Sequence, residues 1–268
     1  MKLVYLLGMS TILFLSCGEK KVEMEEKSSA LLDKVQETSN YPENMKIIFE
    51  AHGGIARWKN MNSLYFERAM GEDFEKTTVD LKTRKSITET NNYTLGYDGD
   101  KTWLVQDSTY MNPDRAGYMY NLMFYFLAMP FVLADEGINF SNADTLKIDG
   151  AEYPGVRISY KDGTGSSDKD EYIVYSDPET HKMKWLAYTA TFGSEERSKN
   201  FSYIKYANWK DVNGLSLPTL LQWYEVEDGK PTNTLRSEQL FSNLKLSSQE
   251  LETGIFEKPE NGKYTSSK

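Results

Sequence analysis

The chain contains very little cysteine and histidine, with one cysteine and two histidines among its 268 residues. A single cysteine cannot close a disulfide within the chain or supply the ligands of a zinc finger. Two histidines are also too few for a histidine-rich metal centre. We therefore predict no metal site, no cofactor and no disulfide framework.

Clustered positive charge is also lacking. Lysine plus arginine number 31 and aspartate plus glutamate number 40, which gives a net charge of −9 at pH 7. Nucleic-acid binding depends on lysine and arginine side chains that are grouped on phosphates. The sequence therefore predicts no nucleic-acid partner.

The common catalytic signatures are absent as well. The sequence has no GxSxG, HExxH, GxGxxG or GxxxxGK motif, which disfavours the usual hydrolases, metalloproteases and nucleotide-binding enzymes. We predict no catalytic residue and no enzymatic activity. A hydrolase that uses two of the many carboxylates stays open as an alternative, because the distance between carboxyl groups is not readable from a sequence.

The N-terminus has the layout of an export signal. Lys2 provides positive charge, residues 3–15 form an apolar run, and Ser16 precedes Cys17. This run is too short for a bilayer that needs about 20 residues, so residues 1–16 fit a cleaved signal peptide. The sequence FLSC, which ends at Cys17, resembles a bacterial lipobox, in which the cysteine is acylated after cleavage.

The resemblance implies that Cys17 carries the acyl chains that anchor the protein to a membrane. Gly18 follows, and the absence of aspartate at that place resembles outer-membrane lipoproteins that face the periplasm or the cell surface. Residues 17–42 are rich in Glu, Lys and Ser and poor in aromatics, which predicts a flexible tether. An ordinary cleaved signal or a membrane anchor is the alternative to lipidation.

The rest of the chain, residues 43–268, has the pattern of a single domain rich in β-structure. Pro42 and Glu43 predict a helix start, and Gly53-Gly54 predicts a break in that helix. The apolar period then becomes two, with tight-turn residues between short runs, which predicts ten or more antiparallel strands. Because so many strands curl, the predicted fold is mainly β (α+β), a large curved antiparallel sheet or incomplete β-barrel.

One apolar segment, YMYNLMFYFLAMPFVLA at residues 118–134, interrupts the strand pattern, which resumes at residue 145. It is shorter than a transmembrane helix, and Pro130 would break it. A helix that is apolar on all sides has to be buried. We therefore predict a helical insertion over about residues 113–135 that packs on the concave face of the sheet. A loop that dips into the membrane is the alternative.

Several phrases resemble known envelope proteins. AHGGIARWKNMNSL, GYDGDKTW, FYFLAMPFVLADEGI, DEYIVYSDPETHKMKWLAYT and WKDVNGLSLPTLL are similar to an uncharacterised family of bacterial envelope lipoproteins. The order of helix, strand meander and helical insertion resembles the lipoprotein-carrier fold of LolA and LolB. The resemblance covers about residues 45–256. It implies an incomplete barrel whose helical lid encloses a hydrophobic cavity. It implies no enzymatic reaction, because none is established for the family.

Both histidines have structural explanations. His52 precedes the glycine pair at the end of the first predicted helix, and His181 lies in the predicted hairpin turn DPETH. We therefore expect a helix-end or packing role for His52 and a structural role in the turn for His181.

The aromatic and methionine content suggests where a ligand would bind. Tyrosine and tryptophan combine an apolar body with a polar tip, and methionine adapts to varied acyl chains. Plain core packing is the alternative for each of these side chains. The candidate ligand-binding residues are Trp58, Trp103, Tyr118, Met123, Phe124, Phe126, Phe131, Trp185 and Trp223.

The predicted function is that of an outer-membrane-anchored lipoprotein that binds a lipid, an acyl chain or a lipoprotein in the hollow of a half-barrel. The alternative is a cell-envelope interaction or sensor module with a filled core, no small ligand and an envelope protein as partner. An open cavity between the helical segment and the sheet would favour the first hypothesis.

Overall fold

The structure, a computed structural model, describes residues 41–161, 169–192, 194 and 196–265. The predicted signal peptide, Cys17 and nearly all of the predicted tether lie outside the described residues. Those predictions therefore stay expectations that come from the sequence.

Two short helices open the described part of the chain. Helix α1 (Glu43–Ala51) begins after Pro42, and helix α2 (Ile55–Lys59) follows the glycine pair. Gly53 and Gly54 have φ angles of 105° and 88°, which glycine adopts without steric cost. The predicted break in the first helix is therefore confirmed.

Thirteen strands follow within the described residues, and all neighbouring strands in the sheet pair antiparallel. The prediction of ten or more antiparallel strands is confirmed. The strands are β1 (Ser63–Met70), β2 (Asp73–Asp80), β3 (Ser86–Glu89), β4 (Tyr93–Tyr97), β5 (Thr102–Gln106), β6 (Ile138–Ile148), β7 (Ala151–Tyr160), β8 (Glu171–Ser176), β9 (Met183–Tyr188), β10 (Ser202–Val212), β11 (Leu215–Glu227), β12 (Lys230–Ser247) and β13 (Lys263–Tyr264).

The strands form one sheet in the order β13-β5-β4-β3-β2-β1-β12-β11-β10-β9-β8-β7-β6. It consists of two meanders, β1–β5 and β6–β12, which are joined where β1 pairs with β12. In the described part of the chain the edge strands β13 and β6 do not pair with each other, so the sheet is not closed into a barrel. The predicted fold class, a mainly β domain with an N-terminal helix and a helical insertion, is confirmed.

The helical insertion connects the two meanders. It contains a 3-10 turn (Pro113–Arg115), helix α3 (Ala116–Leu127) and a second 3-10 turn (Phe131–Ala134). The strand after it begins at Ile138, although the sequence pattern predicted strand structure only from residue 145. Residues 138–143 pair with β7 but carry polar side chains at many positions, which obscures the alternation of apolar residues.

The main core lies between the helices and one face of the sheet. It contains Ile48 from α1, Phe124 from α3, and inward-facing residues of most strands, such as Val174 and Leu186. Because side chains alternate along a strand, their neighbours Tyr175 and Trp185 lie on the opposite face. The sheet is thus apolar on both faces at β8 to β10.

Within the described residues, no helix combines the length and the hydropathy that crossing a membrane would require.

Candidate functional site

A cavity of about 430 Å³ lies between α3, the sheet and the segment that follows the second 3-10 turn. We call it the tyrosine cavity, because six of its lining residues are tyrosines. Its aromatic residues are Tyr97, Tyr118, Tyr120, Phe124, Tyr125, Phe126, Tyr160 and Tyr172, and its other residues are Thr83, Arg84, Asn121, Leu122, Asp135, Glu136, Ile138 and Asp170.

Helix α3 forms one wall of this cavity. Tyr118, Leu122 and Tyr125 occupy one face of the helix because they are four and three residues apart. They are only partly buried, whereas Phe124 and Leu127 are buried in the main core. One side of the apolar helix is therefore buried in the core, as predicted, whereas the other side lines a cavity.

The sheet supplies the facing wall. Tyr160 ends β7, and Tyr172 lies on β8 in register with Ile158. The rings of Tyr172 and Tyr160 meet edge to face with centroids 5.9 Å apart, and the Tyr125 ring lies 5.8 Å from that of Tyr172. The hydroxyl groups of Tyr125 and Tyr160 form a hydrogen bond, so the helix and the sheet are tied together at the cavity wall.

The cavity tyrosines are neutral at physiological pH. Burial raises the pKa of Tyr120 to about 12, and it raises the pKa of Tyr125, Tyr160 and Tyr172 still further. A neutral phenol both donates and accepts hydrogen bonds. The cavity therefore offers apolar ring surface with a few polar groups and no tyrosinate charge.

Arg84 lies in the turn between β2 and β3, next to the cavity. The carboxylate of Asp80 closes this turn by accepting hydrogen bonds from the backbone N–H groups of Lys82 and Thr83, both at 2.8 Å. The backbone of Arg84 is left-handed, with φ of 62°. That conformation costs a non-glycine residue about 1–2 kcal/mol, which the backbone hydrogen bond from Arg84 N–H to the Asp80 carbonyl (2.8 Å) and the contacts of the Arg84 side chain help to offset.

The Arg84 guanidinium joins this turn to the segment after α3. Its Nη2 donates to the two carboxylate oxygens of Asp135 at 2.7 and 2.5 Å, and the guanidinium carbon lies 5.3 Å from the centroid of the Phe124 ring. Its Nη1 is buried and has no hydrogen-bond partner among the described residues, an arrangement that costs about 1–3 kcal/mol. Partial burial raises the pKa of Asp135, and Arg84 opposes that rise.

A second cavity of about 410 Å³ lies on the other side of this ion pair. We call it the tryptophan cavity. Arg84, Asp135 and Glu136 line both cavities, so the ion pair stands between them. Its remaining lining residues are Trp58, Lys59, Met61, Leu81, Lys82, Phe131 and Ala134.

Five of the predicted ligand-binding residues lie at these cavities. Tyr118, Phe124 and Phe126 line the tyrosine cavity, and Trp58 and Phe131 line the tryptophan cavity. Phe126 and Phe124 are also core residues that are 3% and 2% exposed. These side chains therefore present only part of their surface to a ligand.

Two predicted residues lie behind the cavity wall. Met123 packs against the main core. Trp223 is a core residue whose Nε1 donates to the Tyr188 hydroxyl at 3.1 Å, and its ring lies 6.1 Å from that of Phe126. Neither residue lines the tyrosine or the tryptophan cavity, so they support the wall and do not form it.

Trp103 lies away from both cavities, which corrects the sequence-based assignment. Its neighbour Leu104 packs towards α3 with Leu95, so alternation turns Trp103 to the opposite face. There its indole covers Gly96, where a Cβ atom would lie 2.1 Å from the ring. Its Nε1 donates to the backbone carbonyl of Phe256 at 2.9 Å. Trp103 thus has a packing role.

Trp185 is also displaced from the predicted site, for the same reason. Leu186 faces the main core, and Trp185 therefore faces the other side of the sheet. There it packs against Tyr224, with ring centroids 5.1 Å apart. The second core cluster consists of Leu146, Ile173, Tyr175, Trp185, Ala187 and Tyr203.

The sequence interpretation missed Arg84 and Asp135, because they belong to separate turns whose meeting is a property of the fold. It also missed Tyr125, Tyr160 and Tyr172 as individual residues. The high tyrosine content was the one indication of such a cavity in the sequence, since a partly polar cavity favours this side chain. No single motif distinguishes the cavity tyrosines from those elsewhere in the chain.

His52 is fully buried at the end of α1. Its Nδ1–H donates to the carbonyl oxygen of Ile48 at 2.7 Å, and its Nε2 accepts the backbone N–H of Met183 at 3.3 Å. The predicted helix-end and packing role is confirmed. Within the described residues, no three His, Cys, Asp or Glu side chains are grouped so that they could hold a metal ion.

Several solved structures, including the following two, are similar to this chain. One is a DUF1329 family protein from Desulfovibrio piger, at 12% identity and a TM-score of 0.48, with 78% of this chain and 95% of that chain covered. The other is a LolA superfamily protein from Nitrosomonas europaea, at 12% identity and a TM-score of 0.44, with 73% and 88% covered. At this level of similarity neither structure informs the function of this chain.

No match is found among the curated proteins. A family model, described as a family of unknown function (DUF6503), matches residues 2–235, which is most of the chain. The expectation of an uncharacterised family is confirmed, and the chain belongs to the DUF6503 family.

Proposed function

We propose that this protein is a non-enzymatic envelope lipoprotein, anchored to the outer membrane through Cys17, that binds a hydrophobic ligand in the tyrosine cavity. The ligand is a lipid, an acyl chain or the lipid part of a lipoprotein. The observation that carries the proposal is the cavity of about 430 Å³ between α3 and the sheet. Sites for small molecules are typically about 300–1,000 Å³ and mainly apolar.

The lining of this cavity suits a chain-like apolar ligand. Leu122, Phe126 and Ile138 provide hydrocarbon and ring surface, and the tyrosines add neutral hydroxyl groups. Binding would gain about 25 cal/mol for each Å² of apolar surface removed from water. No covalent step is needed for such a ligand to be held or passed on.

A lipid anchor at Cys17 would keep the cavity close to a source of lipids. The proposed location rests on the sequence FLSC and on Gly18. Stable anchoring takes two or more chains, since a single acyl chain gives only marginal binding.

A filled-core interaction module is the second candidate, and the packing of the helical insertion favours it. Phe124, Phe126 and Phe131 are all at most 3% exposed, so the helical insertion occupies much of the space above the sheet. In that case the cavity would be a packing defect, and an envelope protein would bind at the outer surface.

The test uses the full chain in isolated bacterial envelopes and a photoreactive analogue of palmitate. After irradiation, the labelled peptides are identified by mass spectrometry. We expect label on peptides of α3 and of β7 or β8. Label confined to the peptide that contains Cys17, or no label at all, would favour the interaction module.

A matched pair of variants makes this test specific. Leu122→Trp places a larger side chain in the cavity, and we expect the labelling to fall by about tenfold, as for a loss of 1.4 kcal/mol. Leu240→Trp introduces the same residue at a position that is 52% exposed and outside the cavity, and it should leave the labelling unchanged. Equal labelling of both variants would contradict the proposed site.

A further inference from the structure

We propose that Arg84 is the anchor for an anionic head group, so that the ligand of the tyrosine cavity is an acidic amphiphile. The ligand would carry a carboxylate or phosphate oxyanion on an apolar chain. This inference rests on the proposed function, because it names the chemical class of the ligand that the same cavity binds.

The first argument is the unused hydrogen-bonding capacity of Arg84. Its Nη2 is bound to Asp135, whereas its Nη1 is buried and lacks a partner among the described residues. A guanidinium presents its donors in a planar fork that matches the two oxygens of a carboxylate or phosphate. A ligand oxyanion that takes the place of Asp135 on Arg84 would bind Nη1 as well as Nη2.

The second argument is the position of Arg84 at the junction of the two cavities. It lines both of them, and its guanidinium lies over the ring of Phe124, which itself lines the tyrosine cavity. A head group held there would leave the attached chain free to extend along Leu122 and Phe126. The charged head group would contact Arg84, and the apolar chain would contact the apolar lining of the cavity.

The third argument is the local charge in a chain that is acidic as a whole. The tryptophan cavity is lined by three cationic residues, Lys59, Lys82 and Arg84, and by two acidic residues, Asp135 and Glu136. The net charge of the protein is −9, so the lining of the tryptophan cavity differs in sign from the chain as a whole. Lys82 Nζ donates to the backbone carbonyl of Lys59, which holds two of the cations together.

Asp135 is the internal competitor of the proposed ligand. Its side chain is 46% exposed, so the carboxylate can turn away to water when another anion takes its place on Arg84. The exchange trades one charge-assisted contact for another and also satisfies Nη1. Removing the Asp135 charge should therefore strengthen the binding of an anionic head group.

The test compares two photoreactive probes that share one acyl chain, a fatty acid and its methyl ester. Both are applied to the full chain in isolated envelopes, and the labelling of α3, β7 and β8 peptides is measured. We expect the acid to label about 10-fold to 100-fold more efficiently than the ester, as a charge-assisted hydrogen bond implies. Equal labelling by both probes would overturn this inference and leave the proposed function standing. Labelling by neither probe would overturn both.

Variants locate the effect at Arg84. Arg84→Gln keeps a Cβ in the left-handed turn and should abolish the preference for the acid while the ester still labels. Arg236→Gln makes the same change at an exposed arginine that lines neither cavity and should preserve the preference. Asp135→Asn should increase the preference, and a decrease in that variant would contradict the competitor role. Arg84→Lys should retain part of the preference, because it keeps the charge and loses the fork.

Competition distinguishes the possible sources of the oxyanion. An unlabelled fatty acid or an alkyl phosphate should displace the probe, which supports a head group on an apolar chain. Displacement by inorganic phosphate at comparable concentration would show a site for free anions and would overturn the assignment of an amphiphile.

Discussion

Trp58 on α2 and Phe131 in the second 3-10 turn stack face to face, with ring centroids 4.9 Å apart and planes inclined by only 9°. The two residues come from the N-terminal helices and from the helical insertion, which are far apart in the sequence. Their contact therefore fixes the insertion against the first helices and forms one wall of the tryptophan cavity.

The first prediction concerns this stack. Trp58→Ala and Phe131→Ala should each lower the free energy of unfolding by about 3–5 kcal/mol, because both side chains are buried. The double variant should lose less than the sum, by about 0.5–1.5 kcal/mol, if the rings interact directly. Urea unfolding of the wild type, the two single variants and the double variant measures this coupling. Strict additivity of the two losses would show that the rings do not stabilise each other directly.

The second prediction compares the same substitution at two glycines. At Gly53, which has φ of 105°, an alanine Cβ would lie 2.1 Å from the carbonyl oxygen of Gly214. Gly53→Ala should therefore destabilise the protein by roughly 2–5 kcal/mol, through backbone strain and overpacking.

The control is Gly117→Ala in α3, where a new Cβ would have no heavy atom within 4 Å beyond its chain neighbours and the backbone of its own helix. It should stabilise the protein by up to about 1 kcal/mol, because alanine is the better helix former. Thermal unfolding of both variants tests the pair, and a loss of stability at Gly117 similar to that at Gly53 would contradict the explanation from close approach.

The third prediction concerns the pH dependence of stability. Burial lowers the pKa of His52 from 6.5 to about 4, and the hydrogen bond to Ile48 and the charge of Lys182 modify that effect. Between these two pH values the unfolded chain binds the proton and the folded chain does not, so stability falls as the pH falls from 6.5 towards 4. The loss amounts to about 3 kcal/mol from this single group.

His52→Gln serves as the comparison, because glutamine does not titrate. The difference in unfolding free energy between the wild-type protein and this variant should change by about 3 kcal/mol between pH 7 and pH 4. Urea unfolding at several pH values measures it. A constant difference across that range would mean that His52 is not the titrating group.

The fourth prediction concerns membrane anchoring. Cells that express the full chain should incorporate labelled palmitate into the protein, and Cys17→Ala should abolish the incorporation and release the protein from membranes, since acyl chains provide the anchor. Gel analysis of labelled membrane and soluble fractions tests this. Palmitate on the Cys17→Ala variant would disprove the assignment of the anchor.

The strands were predictable because their pattern is local. The run at residues 93–97 alternates in hydropathy and is bounded by Asn91-Asn92 and Asp98-Gly99, which specify tight turns. The glycine break at residues 53–54 is equally local. The two-residue strand β13 was missed because a segment of that length has no period to detect.

The cavity was predictable only in part, for a reason that Trp185 illustrates. Strands β8 and β9 are apolar on both faces, so the sequence does not indicate which of Trp185 and Leu186 faces α3. The pairing of Arg84 with Asp135 could not be predicted from the sequence, for a different reason. It depends on how the β2–β3 turn packs against the segment after α3, and the sequence of neither segment shows that the two are in contact.

The pairing of β1 with β12 has a consequence for folding. Ser63 is in register with Ser247, so the two meanders join only when residues 230–247 are available. Folds dominated by pairing between distant residues form in milliseconds to seconds, because loop closure precedes the gain from contacts. Until β12 pairs with β1, one edge of β1 presents unpaired backbone groups, which promote aggregation. A chain truncated before residue 230 would therefore aggregate instead of forming a smaller folded protein.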